Sequence, residues 1–309
     1  MTTMSGKTPE KVFKVFKEKK ISIWTPGQIV LMIVIAVFSL SCLLPFVNVL
    51  AVSLSSKSAI LRGDVSFWPV EFTTMAYDAI FSDKSMTRSL IYTVIITVIY
   101  TVFSMILTVL MAYPLTKRRM KGRKFFNFLA LFTMYFSGGT IPIYLNIKEL
   151  GLLDSPWALI LPGMLSTYNM IILKSFFTAL PGELEEAAII DGANDFQVLL
   201  RVYLPLSMAS LATLTLFYAV GKWNSFQDAL YYISNKAYQP LQLKLYHIIK
   251  GSQAVDVAAL EGGSQTVATS VSESIEPATI IFATLPILVV YPFVQRYFVA
   301  GVTIGAVKG

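Results

Sequence analysis

The sequence predicts an all-α integral membrane protein with six transmembrane helices. Three observations lead there. Apolar residues make up 55% of the chain and charged residues only 14%, against about 25% charged in an ordinary soluble domain. Apolar runs long enough for the about 20 residues that a helix needs to cross a bilayer recur along the chain. The net charge of +7 is gathered largely into two short clusters beside such runs, as membrane topology requires and nucleic-acid binding does not.

Residues 1–26 read as a basic cytoplasmic tail with Lys7, Lys11, Lys14, Lys17, Lys19 and Lys20. Its alternating Lys and Phe from Lys11 onward fit either a short helix on anionic headgroups or a solvated tail. The apolar run behind it exceeds the about 7–15 residues of a signal-peptide core and has no clear cleavage site, so it is an uncleaved span. Six spans are expected at 28–52, 89–115, 125–147, 156–176, 204–230 and 277–299, with a tail over 301–309. Polar connectors lie at 53–88 and 231–276, the latter ending in a Ser/Gly/Ala/Val-rich piece that suggests mobility. Within the third span, Ser137-Gly138-Gly139-Thr140-Ile141-Pro142 should break the helix, which the membrane tolerates where backbone faces protein or a water-filled cavity. The single cysteine, Cys42, lies in the first span and excludes an internal disulfide framework.

An even number of spans puts both ends on one side. With the N-terminus inside, sixteen of the 25 Lys and Arg are cytoplasmic, six of them between Lys117 and Lys124, so the positive-inside rule sets both ends and the loop over 177–203 in the cytoplasm.

That loop is acidic, unlike one that merely sets topology. Pro181 suits a first helical turn, and Glu183, Glu185 and Glu186 suit the positive end of the helix dipole. Leu184, Ala187 and Ala188 share one narrow face of small residues. Gly192 permits a left-handed turn, and Asn194 can cap a second short helix carrying Phe196, Leu199 and Leu200. The stretch therefore reads as helix, glycine elbow, helix. On these grounds alone it is either an amphipathic loop or a docking element.

Glu186-Ala187-Ala188, then Gly192, then Leu204-Pro205 twelve residues later, resembles the EAA motif of permease subunits of binding-protein-dependent ABC importers. Asp191-Gly192-Ala193 fits its common form. The end of the chain, from Gln295-Arg296-Tyr297 to Gly309, is similar to that of carbohydrate (maltose-type) permeases, and Trp223-Asn224 falls where these often carry that pair. Phe136-Ser137-Gly138-Gly139 and the long connector after the fifth span resemble the branch importing larger or acidic oligosaccharides. The resemblance covers roughly residues 75–309 and makes 27–300 the permease domain.

The resemblance implies a bacterial cell-membrane subunit with a cytoplasmic EAA coupling helix. Such a helix docks on an ATPase and carries its closure into the membrane. Glu186, Ala187, Ala188, Asp191, Gly192, Ala193 and Pro205 are then the coupling residues, and Thr303, Gly305 and Lys308 of the tail reach the same ATPase. Implied partners are a second permease, two copies of the ATPase, an extracellular or periplasmic substrate-binding protein docking on the outer connectors, and the bilayer, without nucleic acid. No cofactor is bound by this chain, ATP and Mg being held by the ATPase. For the substrate path, sugars favour aromatic and planar hydrogen-bonding groups, and polar groups within spans are functional candidates. Ser137, Tyr168, Asn169, Trp223, Asn224 and Asp228 qualify, although Tyr and Trp also form interfacial belts and Asn also bonds neighbouring helices.

Other classes fit less well. The only histidine, His247, lies in the outer connector without metal partners nearby in sequence, and no nucleophile set accompanies it. Gly6-Lys7-Thr8 copies the end of a P-loop, but the required earlier glycine and strand have no room before it. A channel or secondary transporter would explain the spans and not the EAA pattern.

Overall fold

The computed structural model describes residues 25–260 and 272–306. Every regular element among the described residues is helical. In chain order they are α1 (Pro26–Ser53), α2 (Lys57–Leu61), α3 (Met75–Ser82), α4 (Lys84–Thr116), α5 (Arg123–Tyr135), α6 (Thr140–Glu149), α7 (Pro156–Ile160), α8 (Thr167–Ala179), α9 (Gly182–Ile190), α10 (Asp195–Val198), a π-helical turn (Leu199–Tyr203), α11 (Leu204–Leu206), α12 (Met208–Asn224), α13 (Gln227–Tyr232), a 3-10 turn (Lys236–Tyr238), α14 (Leu241–Leu260) and α15 (Ser272–Ala306). Residues up to Asn48 form one unit and Val49 onward another. The first consists of the greater part of α1, exposed along its length and apolar throughout, with Cys42 on its surface.

By length and apolarity, α1, α4 and residues 274–292 of α15 are each long enough to cross a membrane. Two bent pairs qualify when each is taken as one span: α5 with α6, at 112°, and residues 195–206 with α12, at 84°. The described helices thus supply three to five candidate spans, where the sequence predicts six. The expected break in the third span falls at 136–139, where Gly139 has φ +88° and its N–H donates to Ser137 Oγ at 3.3 Å. The expected span 156–176 is not one helix. It stops at Ile160, passes through Pro162 and Gly163 (φ +73°), and restarts as α8. The expected span 204–230 bends at Ser207 and is helical again from Met208 to Asn224.

The polar connectors at 53–88 and 231–276 are more ordered than their composition suggests. Residues 53–83 hold two helices and a tight knot in which Ser56, Ser58 and Arg62 all bind the Glu71 carboxylate, Ser58 at 2.7 Å and Arg62 at 2.8 Å. The two serine hydroxyls and the guanidinium hold this carboxyl down at about 2. In the second connector the 20-residue α14 runs from Leu241 to Leu260 and includes His247, so that residue lies on a helix and not in a loop. The Ser/Gly-rich piece at 261–271 falls outside the described residues.

The second unit is organised on α4. Asp83 caps it by accepting from Ser85 N at 2.8 Å. Its buried side is a seam of Ser89, Thr93, Thr97, Thr101, Ser104, Thr108 and Ala112, spaced three or four apart. Small side chains let helices approach closely in a membrane, and α8 and α12 pack along α4. The same seam serves the interrupted 161–166 stretch. Tyr100 of α4 donates to Gly163 O at 2.8 Å, and Tyr218 of α12 accepts from Ser166 N at 3.0 Å while bonding Thr108 Oγ1 at 2.7 Å.

Tyr218→Phe removes the partner of both Ser166 N–H and Thr108. It is expected to lower unfolding free energy in mixed micelles by about 1–3 kcal/mol, while Tyr135→Phe, at an exposed ring, leaves it unchanged.

Candidate functional site

Local sequence builds the α9–α10 element in four steps. Pro181 precedes α9, and Glu183 and Glu185 occupy its first turn, where the helix dipole favours acids. Gly192 (φ +84°) then ends it. The Gly192 N–H reaches Ile189 O at 3.0 Å and the Ala193 N–H reaches Ala188 O at 2.9 Å, the paired bonds of a Schellman turn. Space around the missing Gly192 Cβ is open, so glycine is needed there for its left-handed backbone and not for room. Finally Asn194 and Gln197 form a reciprocal capping box, at 2.9 and 3.0 Å, that starts α10.

The two sides of this element differ. Ala188 and Ala193 pack inward against a core of Tyr113 and Leu115 from α4, Leu173 and Phe177 from α8, Val198, Leu199, Tyr203 and Leu214. Glu186, Ala187, Ile189 and Asp191 are exposed, and Ile190 is 84% exposed. Glu186 makes no ion pair among the described residues, and Pro205 is exposed within α11. Thr303 and Gly305 lie on the last turn of α15, and Lys308 is outside the described residues.

The structure adds a cluster beneath α9 that the motif does not contain. Lys117, just past α4 and 9% exposed, places its Nζ 2.7 Å from Glu185 Oε2 and donates to Tyr203 OH at 3.1 Å. Tyr203 OH in turn donates to Glu185 Oε2 at 2.7 Å. The ammonium lies 4.2 Å from the centroids of both the Tyr113 and Tyr203 rings, which meet edge to face at 5.0 Å. Two residues on, Arg119 pairs with Asp195 of α10. Burial alone would raise the Glu185 carboxyl, but hydrogen bonds from Lys117 and Tyr203 with the charges of Lys117 and Arg119 hold it below its ordinary value. Sequence reading assigned Lys117 and Arg119 to topology and Glu185 to the helix dipole. The only hint of more was that Glu185 adjoins the motif, since its partner lies 68 positions away.

The six pathway candidates are not brought to one place by any shared contact. Ser137 and Tyr168 are exposed, the former at the α5–α6 break. Asn169 is buried on α8. Trp223 is buried and donates through Nε1 to Ala283 O of α15 at 3.2 Å, a tie between helices. Asn224 is exposed, its Nδ2 turned back to Val220 O. Asp228 is half-exposed and pairs at 3.3 Å with Lys222, a buried cation of α12 that the sequence reading passed over.

Residues 79–303 match the family of binding-protein-dependent transport system inner membrane components. The chain belongs to that family. It is a transmembrane permease component of such a system and not a soluble protein. It is 43% identical over 272 residues to the polygalacturonan/rhamnogalacturonan transport system permease YtcP of Bacillus subtilis, covering 88% of this chain and 94% of that one. It is 45% identical over 267 residues to Protein LplC of the same organism, covering 86% and 90%. Among solved structures it is similar to a bacterial ABC transporter involved in the import of the acidic polysaccharide alginate, with TM-score 0.78, 32% identity and coverage of 96% of this chain and 100% of that one.

A carboxyl that titrates lower when folded than its free value of 4.5 stabilises the fold above that pH and loses the effect as pH falls through its folded value. Glu185→Gln should therefore lower Tm in detergent by a few degrees at pH 7. The gap between variant and wild type should close as both are taken below pH 4.5. A gap that persists in acid would remove the ion pair from this account.

Proposed function

We propose that this chain is one half of the translocation pathway of an ABC importer for uronate-bearing oligosaccharides, with α9 as its coupling helix. The observation that carries the coupling part is the two-sidedness of α9. Its inner face is fixed to the core, and its outer face offers Glu186, Ala187 and a bare Ile190 inside an acidic rim. A helix anchored on one side and apolar on the other suits docking into a cleft of a cytoplasmic ATPase. Relatives named for polygalacturonan, rhamnogalacturonan and alginate support the substrate class.

In this reading six spans are formed by α1, α4, α5–α6, α7–α8, α12 and α15. Both termini and α9–α10 face the cytoplasm, in keeping with the distribution of Lys and Arg. Two ATPase copies, a second permease and a substrate-binding protein complete the machine. Glu186 pairs with a basic group of the ATPase, and the tail residues Thr303, Gly305 and Lys308 approach it. Of the pathway candidates, Ser137, Tyr168 and Asn224, which are exposed, and Asp228, which is half-exposed, line the path. Asn169 and Trp223 act as packing residues.

The tagged chain, expressed with its neighbouring genes, is expected to co-purify with a second permease and two ATPase copies. Gly192→Val, which cannot adopt the left-handed backbone easily, should lose the ATPase while the chain still inserts. Gly192→Asn, which tolerates that backbone, should keep it. Full ATPase recovery with Gly192→Val would overturn the coupling role.

For the substrate, oligogalacturonates with the cognate binding protein should stimulate ATP hydrolysis in proteoliposomes several-fold more than neutral oligosaccharides of equal length. Tyr168→Ala and Asn224→Ala should slow uptake without lowering complex yield. Equal stimulation by neutral sugars would overturn the acidic-substrate part.

A further inference from the structure

The route from α9 into the membrane along the chain is poorly suited to carrying force. It runs through a Schellman turn, a four-residue helix, a π turn and a three-residue helix, and then bends by 84° at Ser207. Each joint is a place where a push can be absorbed. The Lys117 cluster offers a direct path that skips them all.

We propose that Lys117, Glu185 and Tyr203 form a clasp that locks α9 to the cytoplasmic end of α4, so that displacement of α9 is passed straight to the helix on which the bundle is built. The inference rests on the coupling reading of α9 and names the residues that transmit what α9 receives. Lys117 is a positioning residue. It acts through α9 and touches neither nucleotide nor substrate.

Four features support it. The contacts are mutual: each of the three polar ends touches the other two, at 2.7, 2.7 and 3.1 Å. The ammonium is walled by two aromatic rings, and Phe177 of α8 stands perpendicular to Tyr203 at 5.4 Å, so the group has little freedom to swing. A buried ion pair contributes little net stability but strongly penalises separation of its partners, which suits a joint meant to hold one geometry. Arg119–Asp195 adds a second strap from the same short segment to α10. One strap alone would act as a hinge. Two straps, one on α9 and one on α10, hold rotation as well as translation.

The test uses the full complex in proteoliposomes, with its binding protein and an oligogalacturonate, and reads substrate imported per ATP hydrolysed. Lys117→Met keeps the aliphatic stem and removes the charge. It is expected to keep stimulated ATP hydrolysis within about twofold of wild type while lowering import per ATP about tenfold. Glu185→Gln should do the same, and the double variant should lose no more than either single one, because the two act as a unit. A purely structural brace would lower Tm and complex yield and leave import per ATP unchanged, and that result overturns the clasp. If Lys117→Met does not assemble, Tyr203→Phe, which deletes one hydroxyl and keeps the ring, is expected to lower the ratio about threefold. An unchanged ratio there overturns the clasp as well. Gly192→Val in the same assay separates the two ideas. If it abolishes import while Lys117→Met leaves the ratio intact, the clasp fails and the coupling role of α9 stands. If it leaves ATPase binding and import untouched, the coupling role fails and the clasp falls with it.

Discussion

A chain that crosses a bilayer has to satisfy its backbone N–H and C=O groups internally, and this constraint governs how the second unit handles its broken helices. The second unit contains breaks at 136–139, 161–166 and 207 that regular helix would avoid. Each has its own remedy. At 161–166 the freed carbonyl of Gly163 and N–H of Ser166 are taken up by tyrosine hydroxyls from α4 and α12. At Ser207 one N–H is shared between Tyr203 O and Leu204 O, both at 3.1 Å. At Gly139 a serine hydroxyl accepts the N–H. Only the break at 161–166 draws on α4, through Tyr100 and through Thr108, which bonds Tyr218; the small seam residues from Ser89 to Thr108 let α8 and α12 pack along it.

The basic run from Lys117 to Lys124 meets two requirements with one set of charges. A basic run of this kind is what the positive-inside rule reads. Lys117 and Arg119 are also partnered, by Glu185 and Asp195, so the same segment gathers the acidic helices α9 and α10. The pairs are not equivalent. Lys117–Glu185 is largely buried and walled by aromatic rings, whereas Arg119–Asp195 is mostly exposed and open to salt screening.

How much was legible in the sequence follows from the range of the interactions involved. The helix–glycine–helix form over 181–198 was readable, because a Schellman turn and a capping box are set by residues within a few positions of one another. So was the break at Ser137-Gly138-Gly139. The split of 156–176 was signalled by Pro162-Gly163 but outweighed by apolar content, and the helical connector at 241–260 was hidden by its polar residues. The clasp was not readable, since nothing local says that Lys117 and Glu185 meet. Trp223 has the same limit: only the packing of α12 on α15 reveals that its indole N–H donates to Ala283 O.

The π turn at Leu199–Tyr203 has a consequence for phase. A π turn is an α-helix carrying one residue more than its length requires. That surplus residue rotates everything upstream of it relative to α11 by about 100°, the angle one residue subtends in an α-helix of 3.6 per turn. Leu199 and Tyr203, four positions apart, both lie on the buried side of the turn. Trimming the surplus would give a more regular helix and shift the phase of α10 relative to α11 by that same angle. The irregularity works as a vernier: one inserted residue sets the angle at which α10 meets the helix that follows it.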